Sequence, residues 1–382
     1  MSGAGPLLPG ATLGVLGGGQ LGRMFAQAAR RMGYEAAVFT PEDDSPAGQV
    51  ATRVERADYD DLEAVARFAA SVDVVTFEFE NVPSATAEAA ARHAPVRPSG
   101  ELLHTTQDRL REKRALDGRG IPVARFAEIS TADDLVAAAE TVPGAGVLKT
   151  ASWGYDGKGQ RRVAGADELA AAWAELGSQP AVLEGLVPFE REVSVVGARG
   201  VDGQVALYAP FENDHSNHIL DVTLWPARLD DATRARALEL GRAVLEGLDV
   251  VGVLCIEMFV LPDGELVVNE LAPRPHNSGH LTIEGHAASQ FEQQVRAVAG
   301  LPLGAVEPQR PAAAMANLLG DLWADGEPAW DAALAVPGVR LHLYGKRAAR
   351  AGRKMGHLTA TADSLEEAEA RVRRAREALT AR

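Results

Sequence analysis

Hydrophobic positions repeat in two rhythms along this chain. Over the first hundred or so residues, short apolar runs alternate with amphipathic ones. Strands are predicted at Thr12–Leu16, Ala36–Thr40 and Val72–Phe77, and helices at Gln20–Met32, Leu62–Ala70 and Ala85–Arg92. That alternation predicts a Rossmann-like α/β unit with a parallel sheet. Past the polar stretch Thr105–Arg114 the pattern changes. Strands at Gly146–Thr150, Arg161–Ala164, Ala181–Glu184, Glu192–Val196, Val205–Ala209, Val253–Val260 and Leu266–Asn269 are separated by helices at Ala132–Glu140, Ala166–Leu176, Asp231–Leu245 and Phe291–Ala299. This predicts an α+β region with antiparallel sheets. Pro302 to Pro311 has the composition of a linker. The remainder predicts short strands and a terminal helix, opened by the capping box Ser364-x-x-Glu367. The expected domains are 1–104, 105–308 and 309–382.

The strongest local signal lies between Val253 and His280. Two apolar runs, Val253–Val260 and Leu266–Val268, flank Pro262-Asp263-Gly264 and predict a hairpin. If Asp263-Gly264 forms a two-residue turn, Glu257 faces Glu270. Opposed residues of an antiparallel pair lie about 5 Å apart at Cβ on one face. Two carboxylates at that distance repel by roughly 3 kcal/mol at an effective dielectric near 20. A cation between them removes the conflict. Magnesium, which takes one or two carboxylates together with phosphate oxygens, fits. For either acid alone, an exposed edge strand is the plainer account. The pair is followed at once by Arg274, His276, Asn277 and His280.

Composition narrows the class. Apolar residues make up 46% and charged residues 24% of 382 residues, as in a soluble globular protein of two or three domains. No apolar run approaches the ~20 residues of a membrane span, and the N-terminus lacks the features of a signal peptide. The single cysteine, Cys255, leaves no internal disulfide or cysteine-based zinc site and suits a reducing cytoplasm. A net charge of −15 argues against nucleic acid as a partner. Against that acidic background, Arg340–His357 holds six Lys or Arg and no acid. With its glycines, that window predicts either an anion site or a solvated basic loop.

Other motifs carry chemistry. Gly17-Gly18-Gly19-Gln20-Leu21-Gly22 places G-x-G-x-x-G between a strand and a helix, which aims backbone N–H groups at an anion. A nicotinamide-dependent oxidoreductase is one reading, but the second strand ends in Phe39-Thr40-Pro41 where a ribose-binding acid belongs. Thr76–Asn81 ends the third strand at the carboxyl edge of the sheet, where open α/β sheets bind ligands, and alternation puts Glu78 and Glu80 on one face. Lys149 and Lys158 flank the glycine-rich hairpin loop Gly154–Gln160, whose backbone could close over phosphates although it is no Walker A loop. Glu184 and Glu192 follow an apolar strand and could meet a base and ribose, or simply connect two strands.

In order, these motifs resemble the ATP-grasp superfamily and, within it, the 5-(carboxyamino)imidazole ribonucleotide synthases of bacterial purine biosynthesis. GGGQLGRM (17–24), TFEFENV (76–82), GYDGKGQ (154–160), NELAPRPHNSGH (269–280) and YGK with RKMGH (344–346, 353–357) carry the likeness almost end to end. The resemblance implies a pre-ATP-grasp domain over 1–104, an ATP-grasp domain over 105–308 divided after 183, and a C-terminal domain. It implies an ATP-dependent carbon–nitrogen ligase. ATP phosphorylates bicarbonate to carboxyphosphate, and 5-aminoimidazole ribonucleotide is then carboxylated on its exocyclic amine. ATP contacts are implied at Arg109, Lys149, Gly154, Tyr155, Asp156, Gly157, Lys158, Gly159, Gln160, Glu184, Val187, Glu192, His215, Asn269 and Glu270, and magnesium at Glu257 and Glu270. Arg274 would hold bicarbonate beside His276 and Asn277, with Lys149 opposing the phosphates. Lys346, Arg353 and Lys354 would grip the ribonucleotide phosphate, and Gly18, Gln20, Leu21 and Glu78 would line the aminoimidazole side. A homodimer is the family expectation.

Two positions depart from the pattern. Many ATP-grasp enzymes read Glu-x-Asn at the second metal acid, whereas Ala272 stands there here, with Asn269 as the neighbouring substitute. His218 competes with His215 for the nucleotide. A sibling activity, formate-dependent glycinamide ribonucleotide transformylation, shares the Arg-Pro-His stretch.

Overall fold

The computed structural model describes residues 5–152 and 159–380. Four parallel strands, β1 (Thr12–Leu16), β2 (Glu35–Phe39), β3 (Arg53–Glu55) and β4 (Val74–Phe77), form a sheet in the order β3-β2-β1-β4. Helices Leu62–Ala69 and Ser84–Ala91 cover one face through Val65, Phe68, Ala87 and Ala90. The other face is covered by helix Gln20–Arg31 and by a helix from far along the chain, Gln290–Ala299. Phe291, Val295 and Val298 of that helix join Leu13, Val15 and Phe25 in one core. Its Gln294 amide donates to Thr76 Oγ1 (2.8 Å), so the first unit is completed by the second.

The middle of the chain holds a small antiparallel sheet. Its strands are β5 (Phe126–Ile129), β6 (Gly146–Thr150), β7 (Gln160–Val163) and β8 (Ala181–Gly185), in the order β5-β8-β6-β7. Helices Asp134–Thr141 and Ala166–Glu175 bury Ala138, Leu169 and Trp173 on it. Of the glycine-rich loop, Gly159 and Gln160 lie within the described residues; Gly154, Tyr155, Asp156, Gly157 and Lys158 lie outside them.

A nine-stranded antiparallel sheet makes up most of the rest. Its strands are β9 (Arg191–Arg199), β10 (Val205–Leu207), β11 (Phe211–Ser216), β12 (Ile219–Trp225), β13 (Gly252–Val260), β14 (Leu266–Ala272), β15 (Ala312–Leu319), β16 (Val339–Leu343) and β17 (Lys354–Ala362). The order is β14-β13-β9-β11-β12-β15-β17-β16, with β10 paired to β9. The sheet therefore runs across the expected 308/309 boundary. β15 bonds β12 in register from Val222–Ala316 to Trp225–Ala313, and the terminal helix Leu365–Ala378 packs on β15 and β17. The linker over 302–311 is observed as irregular chain that nevertheless returns to the same sheet.

Strand β11 was not predicted because Phe211–Ser216 reads FENDHS, with no apolar alternation, yet Glu212 and Asn213 are buried in it. Half of the predicted capping box forms: Ser364 accepts from the Glu367 N–H, while the Glu367 carboxylate pairs with Arg371. Among the described residues no helix is long and apolar enough to cross a membrane.

Candidate active site

The hairpin β13–β14 places Glu257 directly opposite Glu270, but by two offsetting departures from the expected geometry. The turn is three residues long. The Leu261 N–H donates to Glu265 O and the Gly264 N–H to Leu261 O, with Gly264 at φ +85°. A glycine in the left-handed region is what a three-residue hairpin loop requires. That turn shifts the register by one, and a bulge at Asn269 shifts it back. Leu266, Val268 and Leu271 enter the core under the sheet, as do Leu254, Ile256 and Met258 of β13. The bulge therefore leaves Asn269 and Glu270, adjacent in sequence, both turned away from that core on the Glu257 side. Asn269 accordingly sits beside the acid pair, which addresses the alanine at Ala272.

Loss of water, and then Glu270, push the Glu257 carboxyl above the ordinary carboxylate range. A third acid, Glu112 of helix Arg109–Asp117, is pushed up by the same two causes and accepts from the Leu271 N–H (3.2 Å). An acid cluster with this electrostatic conflict and oxygen-only donors suits a hard divalent cation such as magnesium. Cys255, Glu257 and His276 also offer atoms within 4.8 Å of one another. Burial and then Glu257 push the Cys255 thiol well up, so it is protonated and unsuited to a soft metal.

A second cluster lies on the small sheet. Lys149 of β6 and Glu184 of β8 share a face, with Nζ 3.0 Å from Oε2. Lys113 reaches the same oxygen (3.3 Å) from helix Arg109–Asp117 and is only 2% exposed. Burial opposes ionisation of Glu184, but the two ammonium groups hold its carboxyl below the usual range. Sequence reasoning did not single out Lys113, because Arg109–Asp117 (RLREKRALD) reads as a solvated polar helix. Asp108 caps that helix, and Arg109 donates to Thr150 O (2.9 Å), joining it to the start of the glycine-rich loop. Glu192 lies 3.1 Å from His215 Nδ1. Burial disfavours a charged His215, yet Glu192 raises its pKa overall. His218 sits at the exposed β11–β12 turn with φ +64°. Val187, in the segment after β8, is half-buried.

The third cluster joins the first unit to the C-terminal strands. Glu78 leaves β4 and accepts from the N–H groups of Gly19 (2.8 Å) and Gly22 (3.2 Å). The glycine turn is thus occupied by this chain's own carboxylate. Its glycines are required by that approach, since a Cβ on Gly19 would lie 2.5 Å from Glu78 Oε1. Gly18 packs against Thr40 and Ser45, Gln20 is half-buried at the helix start, and the Leu21 side chain belongs to the core. Glu80 pairs with Arg274, which is held charged. Lys346 donates to Lys354 O (2.7 Å) and lies over the Tyr344 ring; burial, then Arg353, lower its pKa to about 8. Arg353 donates to Ala348 O (2.7 Å). The charge of Lys354 acts on Glu257, Glu80 and His276 together.

His276 lies between these clusters, its Nε2 3.0 Å from Glu257 Oε1. Gln290 grips its backbone through both amide atoms (2.7 and 2.8 Å). A Cβ on Gly279 would fall 2.4 Å from the Gln290 oxygen, so glycine there admits the clamp. Asn277 is turned elsewhere: its amide makes two reciprocal bonds with Asn317 (3.0 and 2.7 Å) in the buried sheet.

A parallel α/β unit, a small sheet whose Glu184 is met by Lys149 of its own strands and Lys113 of a helix, and a metal-type acid pair on a large antiparallel sheet define an ATP-grasp ligase. The ATP-grasp domain model matches residues 114–291, the ribonucleotide synthetase preATP-grasp domain 10–107, and the phosphoribosylaminoimidazole carboxylase C-terminal domain 313–371. The N5-carboxyaminoimidazole ribonucleotide synthase of Brucella melitensis is 48% identical over 355 residues, 92% of this chain and 97% of that one. An ADP complex of an N5-carboxyaminoimidazole ribonucleotide synthetase superposes with a TM-score of 0.91 at 39% identity, covering 98% of both chains. The Aspergillus clavatus synthase in complex with ADP and 5-aminoimidazole ribonucleotide gives 0.89 at 33%, covering 97% of this chain and 99% of that one. The chain belongs to the N5-carboxyaminoimidazole ribonucleotide synthase family.

Proposed function

We propose that this chain carries out the family reaction, the ATP-dependent carboxylation of 5-aminoimidazole ribonucleotide, with bicarbonate as carboxyl source and magnesium as cofactor. The terminal phosphoryl group of ATP passes to a bicarbonate oxygen, giving carboxyphosphate and ADP. The exocyclic amine then attacks the carboxyl carbon, directly or after carbon dioxide is released; phosphate departs and the amine loses one proton.

Phosphoryl transfer of this kind depends on positioning and charge neutralisation. Lys149, with Glu184 and Lys113 fixing its ammonium, faces the nucleotide phosphates. Glu257 and Glu270, with Asn269 beside them, would hold magnesium, which supplies charge neutralisation on those phosphates. Arg274, kept charged by Glu80, offers N–H groups to bicarbonate. Lys346, Arg353 and Lys354 receive the ribonucleotide phosphate, and Glu78 and Gln20 line the base side.

The supporting observation is the convergence of Lys354, the first residue of β17, on Glu257 and Glu80. It joins the ribonucleotide end to the nucleotide end. The test is ADP release by purified enzyme, which should require bicarbonate and 5-aminoimidazole ribonucleotide together. Release that ignores the ribonucleotide, or that responds to formate and glycinamide ribonucleotide instead, rejects the assignment.

A further inference from the structure

A file of buried polar groups crosses the large sheet behind Glu257. Ser194 on β9 is in register with both Glu257 on β13 and Phe211 on β11. Ser194, Ser278 and Thr223 are fully buried, and Asn213 is 6% exposed. Each needs a partner, because an unpaired buried hydroxyl or amide loses its bonds to water and gains nothing in return. The partners form one chain. Thr223 Oγ1 donates to Asn213 Oδ1 (3.2 Å), and Asn213 Nδ2 donates to Ser194 Oγ (2.9 Å). Ser194 donates to Ser278 Oγ (2.8 Å), which lies 2.9 Å from His276 Nδ1.

The direction of the chain follows from counting hydrogens. The backbone N–H of Ser278 also points at His276 Nδ1 (3.3 Å), so that nitrogen is an acceptor. Ser278 must then donate its hydroxyl hydrogen to Nδ1, and its oxygen must accept from Ser194. Ser194 has one hydrogen, already used, so its oxygen is an acceptor, and the strong donor beside it is the Asn213 NH₂, with the Cys255 thiol a weak second. The Cys255 thiol, 3.9 Å from Ser278 Oγ, adds at most a weak donor to the same oxygen and disturbs nothing. The imidazole hydrogen is left on Nε2, the nitrogen 3.0 Å from Glu257 Oε1.

We infer that Asn213, Ser194 and Ser278 are positioning residues, a one-way hydrogen-bond wire that locks His276 as the Nε2–H tautomer facing Glu257. His276 thereby presents its Nε2–H to Glu257 on the proposed metal face. Partners behind a metal-site histidine commonly act in this way, and their loss costs about ten- to hundredfold in affinity or activity. The inference rests on the proposed function for its catalytic consequence, but not for the tautomer.

The experiment uses the full chain, free of magnesium, with ¹⁵N in its nine histidines. The His276 signals are assigned by their loss in His276→Gln. The expected pattern is a bare Nδ1 and a protonated Nε2. Ser278→Ala should leave a mixture of tautomers and lower kcat about tenfold or more, with KM for ATP within about twofold. Ser278→Thr, which keeps the hydroxyl, should restore both. Asn213→Asp, an acceptor where the wire needs a donor, should lower kcat as Ser278→Ala does. A resting enzyme with the hydrogen on Nδ1 overturns the inference, as does Ser278→Ala with tautomer and kcat unmoved, or with a changed tautomer and unchanged kcat. The tautomer is read without turnover, so a failure of ribonucleotide-dependent ADP release sinks the functional assignment separately.

Discussion

Arg274 and Glu80 form an ion pair between loops 194 residues apart, one leaving β14 and the other leaving β4. The guanidinium is 15% exposed and the carboxylate 34%. Glu80→Gln keeps the shape and removes the charge. Because the pair is only partly buried, the loss of stability should be modest, on the order of 1 kcal/mol. The larger effect should fall on function: with Arg274 no longer anchored, kcat/KM for bicarbonate should drop by roughly tenfold or more. Steady-state ADP release over a bicarbonate series checks this, and an unchanged value removes Glu80 from the site.

Glu270→Gln should separate stability from activity. The acid pair repels in the absence of a cation, and Glu270 raises the pKa of both Glu257 and Glu112. Relief of that repulsion should raise the magnesium-free melting temperature by roughly 2 °C, a gain limited by the solvent exposure of Glu270. Turnover should be lost, and added magnesium should raise the melting temperature of the native chain and not that of the variant. Thermal melts with and without magnesium would show it. A variant that melts lower than the native chain contradicts the repulsion.

Lys346 should impose an alkaline limit on ribonucleotide use. Its pKa is lowered to about 8, chiefly by burial. Above that pH the free enzyme loses the charge proposed to meet the substrate phosphate, so kcat/KM for the ribonucleotide should fall on the alkaline side. Lys346→Arg keeps its charge at any accessible pH and should flatten that limb. A limb that survives the substitution belongs to another group.

His286 should make the protein sensitive to acid. It is 2% exposed, stands edge-on to Tyr208 and Trp225 with centroids 5.1 and 4.9 Å away, and has its pKa lowered to about 4 by burial. The folded state favours the neutral ring. Its contribution is therefore complete above the unfolded pKa of 6.5 and is lost as pH falls toward about 4. The full loss is at most roughly 3 kcal/mol. Denaturant titrations between those pH values should show the decline, and His286→Phe should reduce it. Equal slopes for both proteins would refute the assignment.

Sequence reasoning anticipated the acid pair better than the structure producing it. Opposing Glu257 to Glu270 needed only the apolar runs and the turn residues, which local chemistry sets. The three-residue turn and the Asn269 bulge were not legible, since each changes the register by one and together they cancel. Periodicity found many of the strands but not β5 or β12, and missed β11 because Glu212 and Asn213 are buried polar residues whose partners lie elsewhere in the chain. Lys113 was illegible for the same reason: a buried lysine in a polar helix is explained only by Glu184, far along the chain. The glycine turn was correctly placed, but Glu78 as its occupant depends on the order of strands.

The continuity of the large sheet has a mechanical consequence. The acid pair on β13–β14 and Lys354 at the start of β17 belong to one continuous hydrogen-bonded sheet, and helix Gln290–Ala299 joins that sheet to the first unit. The residues proposed to meet the ribonucleotide and the metal therefore stand on one frame. The lysine-bearing four-stranded sheet is hydrogen-bonded as a separate plate. Movement of that plate would leave the residues proposed for the other substrate in place.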